Sequence, residues 1–273
     1  MDKKKFIDLA LLLVIATLAT LFSLFFRASF FVSTLLFFGF PSLYLSFKNR
    51  KAVKKSALFA FLISFPLTFI FDYLISVDRG WYIVGTLLNF RLFGIVAVEQ
   101  FVWSFFWINY IILFYEYFLN RHKKKSFFYY LLSLFKKKGG VVSKRMEFLS
   151  LFLFIVFLAF VSLVFINPLF LRIGYAYFWL GLVFGIIPLS IFLIKFPNFL
   201  LRFSKITAYF FVLAVIVEYV GLKLNHWTFP GNHYLGILNF FGFKIPFEEV
   251  FLYFLVSTPA ILAYYEFFDD DRK

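Results

Sequence analysis

Long apolar runs recur along the whole chain and restrict its possible folds more than any other feature. They occupy eight segments, at about 6–26, 28–47, 56–76, 95–118, 147–166, 174–194, 206–224 and 247–268. As a helix, each run is long enough to cross a hydrocarbon core about 30 Å thick. Hydrophobic residues make up 63% of the chain, whereas a soluble domain has about 45–50% apolar residues. The sequence therefore predicts an all-α integral membrane protein with about eight transmembrane helices.

The distribution of basic residues predicts how these helices are oriented. If the N-terminus is cytoplasmic, the inner segments hold 22 Lys and Arg and the outer loops hold 6. Basic residues favour cytoplasmic loops, so we expect a multi-pass plasma-membrane protein with both termini inside. The first run is too long for a signal peptide and has no small-residue cleavage site, which favours a first span. Since basic residues flank membrane spans, the net charge of +14 does not indicate nucleic-acid binding.

Self-comparison of the chain reveals an internal repeat. Residues 87–118 align with residues 237–268 without a gap at an offset of 150. The matched residues include Leu88/Leu238, Asn89/Asn239, Glu99/Glu249, Tyr115/Tyr265 and Glu116/Glu266, and an offset of 146 matches Asp72/Glu218, Tyr73/Tyr219 and Trp81/Trp227. The pattern predicts a tandem duplication whose two four-helix repeats share one orientation, related by a pseudo-twofold axis along the membrane normal.

The repeat also divides the chain into segments. We expect a first repeat over residues 1–120, a basic cytoplasmic linker over 121–146 and a second repeat over 147–273. The piece from Ser126 to Lys138 is too short to span, and we expect it to lie along the cytoplasmic interface.

Carboxyl groups recur within or beside these apolar runs, at a cost of about 2.5–3.5 kcal/mol each at a helix centre. The five candidate catalytic residues are Asp72, Glu99, Glu218, Glu248 and Glu249. All five are expected near the outer ends of their helices, where the two repeats face each other. For the pair that follows Pro246, ordinary helix capping is an equal alternative, because Pro and acidic residues both favour a first turn.

Clustered carboxyls and aromatic rings together suit proton-initiated chemistry on an apolar polyene. A carboxyl that keeps its proton serves as an acid while a neighbouring carboxylate serves as a base. Aromatic ring faces stabilise a developing cation, at about 0.5–2 kcal/mol each, although packing or interfacial anchoring explains any single aromatic residue as well. The candidate substrate-binding residues are Tyr73, Trp81, Asn89, Tyr219, Trp227, Asn239 and Pro246.

Several other functions lack their sequence signals. The chain has no cysteine, no Gly-rich dinucleotide motif and no P-loop, and its three histidines do not have metal-ligand spacing. Asp269, Asp270 and Asp271 have no partner motif, and a solvated tail explains them better than a diphosphate site. We therefore expect no cofactor and no metal.

The residues resemble the membrane-integral, non-flavin lycopene cyclase domain family. The likeness rests on Glu218-Tyr219, on Trp227 and on the sequence IPFEEVF from Ile245 to Phe251, which contains the family's Pro-any-Glu-Glu element. It covers most of the chain from about residue 60 onward.

The first repeat departs from this element. In the ungapped alignment, Val96 stands in place of the proline, Val98 in place of the first glutamate, and only Glu99 remains.

The resemblance implies a redox-neutral isomerase of the intramolecular lyase type. A carboxylic acid protonates the end of an acyclic carotenoid, the chain closes on the cation, and a carboxylate removes a proton. Glu248 and Glu249 are then the hypothesised acid and base, tuned by Glu99, Asp72 and Glu218. The partners are the bilayer and a lipid-soluble carotenoid such as lycopene.

Two other functions remain open from the sequence. A carotenoid hydratase, or a cyclase of elongated carotenoids, would form the same cation. A proton-coupled transporter would also use duplicated intramembrane acids. It requires polar pathways to both membrane faces, and we expect the cytoplasmic halves of the helices to be almost wholly apolar.

Overall fold

The computed structural model describes residues 3–88, 90–119 and 144–269; for residues 144–150 and Asp269, only the backbone is described. Asn89, the segment Ser126 to Lys138 and the aspartates at 270 and 271 therefore lie outside the described residues, as does most of the predicted linker.

Helices form most of the described chain. Seven of them are long and apolar enough to cross a membrane, as the sequence predicts for a multi-pass membrane protein. The helices are α1 (Lys3–Phe26), α2 (Phe30–Lys48), α3 (Arg50–Val77), α4 (Val98–Phe118), α5 (Lys144–Ile166), α6 (Ala176–Lys195), α7 (Leu200–Lys223) and α8 (Glu249–Phe268). The remaining helix, α5, has a shorter described apolar part, Leu151–Ile166.

Large apolar side chains face outward on these helices, as lipid contact requires. Phe25 of α1 is 82% exposed and Ile194 of α6 is 83% exposed. The inner faces carry the buried aromatic and aliphatic residues, including Phe38, Tyr110 and Phe210. A helix satisfies its own backbone hydrogen bonds, so an apolar outer surface is stable in lipid.

Three helices contain a π-helical segment before a proline. The segments are Leu35–Gly39 in α2, Gly181–Ile186 in α6 and Glu249–Val256 in α8, and they precede Pro41, Pro188 and Pro259. Proline has no N–H and its ring clashes with the carbonyl of the preceding turn. A wider π-turn relieves that clash, and such turns are frequent at functional sites.

Short strands form where the sequence predicts only helix and loop. Two hairpins, β2 (Arg91–Leu92) with β3 (Val96–Ala97) and β5 (Ile237–Phe240) with β6 (Phe243–Pro246), precede α4 and α8. Residues 95–97 were expected at the start of the fourth helix and belong to this loop structure instead. In the second hairpin, Phe241 (φ 48°) and Gly242 (φ 88°) form the turn, as a two-residue connection between right-twisted strands requires.

The loops of both predicted repeats meet at one end of the bundle, here called the hairpin end. Strand β1 (Tyr82–Ile83) pairs antiparallel with β4 (Trp227–Thr228). His226 Nε2 contacts the Ala28 carbonyl oxygen at 2.9 Å, and Asp78 accepts hydrogen bonds from the Ala176 N–H (3.2 Å) and contacts His233 Nδ1 (2.7 Å). The opposite end, which carries the basic residues between α2 and α3, is called the basic end.

Candidate active site

A cavity of about 260 Å³ lies beside the hairpin end of the bundle. Its wall is formed mainly by α3, α4, α6 and α8, with Glu218 from α7, so both predicted repeats contribute to it. The side chains around it are mostly aromatic and aliphatic, with a few carboxyl, amide and hydroxyl groups among them. An apolar pocket with a few convergent polar groups is the usual form of a small-molecule site.

Three of the five predicted carboxyls line this cavity. Asp72 accepts a 2.7 Å hydrogen bond from Trp81 Nε1, and Glu218 accepts a 3.0 Å hydrogen bond from Trp227 Nε1. Glu249 accepts a hydrogen bond from the Tyr177 hydroxyl. Each carboxyl is therefore held by a donor on an aromatic ring, and each is at most 2% exposed.

Two of these carboxyls, those of Glu218 and Glu249, interact electrostatically in the cavity wall. Both are buried, and Oε2 of Glu218 has no hydrogen-bond partner among the described residues. Two buried carboxyls that repel each other favour a state in which one of them keeps a proton. Asp72 has different neighbours, because it interacts with the Trp81 indole and with the positive charge of Arg91.

Aromatic rings surround the carboxyls. The Trp81 ring packs 5.8 Å from Tyr177, and the Trp227 ring packs 5.9 Å from Phe30. Deeper in the bundle, Trp103 and Trp107 stack at 5.9 Å with Tyr253 beside both. These rings line the cavity, and aromatic rings are groups that can stabilise a cation.

The other two predicted acids lie next to the cavity and have a different local role. Glu99 Oε1 accepts a 2.9 Å hydrogen bond from the Leu88 N–H, and Glu248 Oε1 accepts a 2.7 Å hydrogen bond from the Leu235 N–H. Both acids are fully buried, and each ties down the chain that enters its hairpin. The expectation that all five acids gather in one place is thus corrected to three in the wall and two behind it.

The remaining predicted binding residues do not line the cavity. Tyr73 packs against the rings of Phe93 and Phe160. The ring of Tyr219 lies 5.7 Å from Phe241. Asn239 Oδ1 accepts the Gly242 N–H in the hairpin turn, and Pro246 pairs with Ile237 in the sheet. These four positions serve packing and turn formation. Of the four aromatic residues predicted to bind substrate, Trp81 and Trp227 line the cavity and Tyr73 and Tyr219 do not.

Gln100 and Tyr177 are among the cavity-wall residues that the sequence did not predict. Gln100 follows Glu99 directly and lines the cavity. Tyr177 reaches Glu249 from α6, 72 residues away in the chain. A tyrosine among 16 in an aromatic-rich chain gives no signal until the fold brings it to a carboxyl.

A second buried polar cluster lies at the basic end. Glu116 accepts hydrogen bonds from Lys55 Nζ (3.4 Å) and from the Tyr265 hydroxyl, and Glu266 accepts one from the Tyr115 hydroxyl. Asp8 joins a neighbouring group through Lys48 Nζ at 2.9 Å. The sequence predicts almost wholly apolar helix halves on the cytoplasmic side. The helix halves at the basic end do not have that character, because Lys55, Glu116 and Glu266 are buried there.

Within the described residues, no three His, Asp or Glu side chains converge in a way that would hold a metal ion. Comparison of the chain with protein-family models, with curated proteins and with solved structures returned no match.

Proposed function

We propose that the protein is a carotenoid cyclase that isomerises an acyclic carotenoid end group inside the bilayer, as its resemblance to the lycopene cyclase domain family implies. One observation carries the proposal: three carboxyls held by aromatic N–H and O–H donors line an apolar, aromatic cavity within a membrane bundle. A polyene dissolves in the same hydrocarbon layer that surrounds the helices.

Reciprocal contacts support the proposed duplication. The Tyr115 hydroxyl donates to Glu266 while the Tyr265 hydroxyl donates to Glu116, and both pairs repeat at an offset of 150. The two indole-carboxyl pairs match in the same way. In addition, Tyr82 pairs with Thr228, its counterpart at an offset of 146. Contacts of this kind are expected between halves related by a twofold axis.

The proposed orientation places the hairpin end outside and the basic end in the cytoplasm, because basic residues favour cytoplasmic loops. The three cavity carboxyls then lie in the outer half of the bilayer, and eight spans form two parallel four-helix repeats.

In the proposed reaction, a carboxylic acid of the cavity gives its proton to one carbon of the terminal double bond, and the π electrons form the new C–H bond. The tertiary cation is attacked by a second double bond of the same chain, which forms the ring C–C bond. A carboxylate then removes a proton from a ring carbon and restores a double bond. One proton enters and one leaves, so the product has the mass of the substrate.

Expression in bacteria that accumulate lycopene tests this proposal. Pigment chromatography with mass detection should show cyclic carotenoids of unchanged mass, whereas a hydratase would add the mass of water. Unchanged lycopene, with the protein confirmed in the membrane, would contradict both activities.

A proton-coupled transporter is the second candidate, and the buried cluster of Lys55, Glu116 and Glu266 favours it. The cluster adjoins the cavity, because Phe59 of the cavity wall packs 5.3 Å from the ring of Tyr265, whose hydroxyl donates to Glu116. Pigment-free vesicles that contain the protein would then take up a solute in proportion to an imposed pH gradient. A cyclase would show no such uptake.

A further inference from the structure

The two predicted halves contribute unequal groups to the cavity. Glu99 and Glu248 both accept a backbone N–H from the chain before their hairpin, and in both the Oε2 atom is buried without a partner. The residue after each of them, Gln100 or Glu249, lines the cavity. By contact, Glu99 therefore matches Glu248, and Gln100 matches Glu249. The ungapped alignment pairs Glu99 with Glu249 and misses this relation.

The π-helical segment of α8 explains the one-residue difference. Matching residues of the two halves differ by 149 positions at the helix start, where Glu99 matches Glu248. They differ by 150 positions near the helix end, where Tyr115 matches Tyr265. Helix α4 is α-helical throughout, while α8 is π-helical over Glu249–Val256. A π-segment accommodates one additional residue within a helix, so the second half gains its extra residue there.

A second difference accompanies the first. Tyr177 of the second half packs against Trp81 of the first half, and Phe30 of the first half packs against Trp227 of the second half. Only Tyr177 has a hydroxyl, which it donates to Glu249. In the first half, the matching positions hold Gln100 and Phe30, which provide neither the carboxyl nor the hydroxyl.

We propose that only the second half of the chain supplies the acid of the reaction. Glu218 and Glu249 share the proton that starts the reaction, and Asp72 accepts the proton that is removed at its end. The first half provides no second acid, because it has Gln100 and Phe30 at the matching positions. This division of roles rests on the proposed cyclase function.

The neighbours of each carboxyl give the reason. Glu218 and Glu249 are both buried in the wall of one cavity, and two buried carboxyls that repel each other favour a proton on one of them. Burial opposes the charged form of Asp72, but the Trp81 N–H at 2.7 Å and the positive charge of Arg91 both favour the carboxylate form that a base needs. After one turnover the pair has lost a proton and Asp72 has gained one, and return of that proton through the cavity restores the starting state.

Infrared spectroscopy of the purified protein in lipid tests the shared proton without any substrate. The wild-type spectrum should contain the C=O band of a protonated carboxyl that E249Q removes, that E218Q shifts or removes and that D72N leaves in place. A spectrum that is unchanged in E249Q, or a band that disappears in D72N, would overturn the assignment whether or not the protein is a cyclase.

Pigment analysis in lycopene-accumulating cells tests the roles in the reaction. E249Q should lower ring formation at least about 100-fold, since general acid catalysis contributes about 10²–10⁴-fold. D72N should still consume substrate, with products that are hydrated or carry a displaced double bond, because the cation forms and is not deprotonated normally. Unreacted lycopene in D72N, at normal membrane levels, would contradict the role of Asp72.

The role of Gln100 and Phe30 is tested by rescue. In the E249Q background, F30Y with Q100E should restore at least about a tenth of wild-type ring formation, and F30Y with Q100A should restore none. A monodisperse triple variant with Q100E that stays inactive would overturn the claim that these two residues keep the first half from acting as an acid.

Wild-type protein that leaves lycopene unchanged counts against the cyclase function. The infrared result then tests the shared proton by itself.

Discussion

Gly221 provides the space that the Trp227 indole occupies, since a Cβ on Gly221 would lie 2.2 Å from ring atom Cη2 of Trp227. The indole in turn donates its N–H to Glu218 at 3.0 Å. A glycine in the last turns of α7 thus determines where a cavity carboxyl receives its hydrogen bond.

We expect G221A to displace Trp227 and to lower ring formation about tenfold or more, because the buried Glu218 carboxyl loses its donor. The control is G85A, where a Cβ would meet nothing within 4 Å. Pigment conversion and the membrane level of each variant should be measured together. Full activity in G221A would mean that the indole position does not matter.

Removal of Lys55 tests the buried cluster at the basic end. Lys55 and Glu116 are both largely buried, and loss of one partner of a buried ion pair costs about 3–5 kcal/mol. K55M should lower the thermal unfolding temperature in detergent clearly, whereas K51M, at an exposed lysine, should not. Equal melting of the two variants would show that the Lys55 contact adds no stability.

Substitution of Glu248 tests whether this residue, which accepts the Leu235 N–H before the second hairpin, also takes part in catalysis. E248Q keeps an oxygen that accepts the Leu235 N–H, whereas E248A leaves that buried N–H unpaired, at about 1–3 kcal/mol. We expect E248A to lower activity more than E248Q and to speed hydrogen exchange at Leu235. If E248Q is as inactive as E249Q, Glu248 takes part in the chemistry, as the sequence hypothesis holds.

His226 should make stability depend on pH. Burial lowers the pKa of His226 below its usual value of 6.5, so the folded protein disfavours the protonated ring. The stabilisation is present above about pH 6.5 and is lost as the pH falls through the lowered pKa. Unfolding temperatures measured at about pH 8 and about pH 5 should differ more in the wild type than in H226Q. An equal difference would assign the pH dependence to other groups.

The sequence predicted the membrane class and most helix positions well, because long apolar runs have few alternatives to a spanning helix. It placed residues 95–97 in a helix, since it has no long-range signal for the β2–β3 pairing. Among the predicted site residues, Asp72, Glu218, Glu249, Trp81 and Trp227 line the cavity. Glu99 and Glu248 are equally buried, but their carboxyls hold backbone N–H groups, which one-dimensional spacing cannot distinguish from a catalytic position.

By itself, then, the sequence determined that the chain is a multi-pass helical membrane protein with acids at matching positions, because apolar length and charge are local properties. Only the tertiary structure decided which acids share a cavity, that Tyr177 holds Glu249, and that Gln100 lines the same cavity as Glu249. The contacts arise from packing between helices distant in the chain. The π-helical segment Glu249–Val256 shifts the side chains of α8 around the helix axis relative to a regular α-helix such as α4, and no periodicity in the sequence predicts that shift.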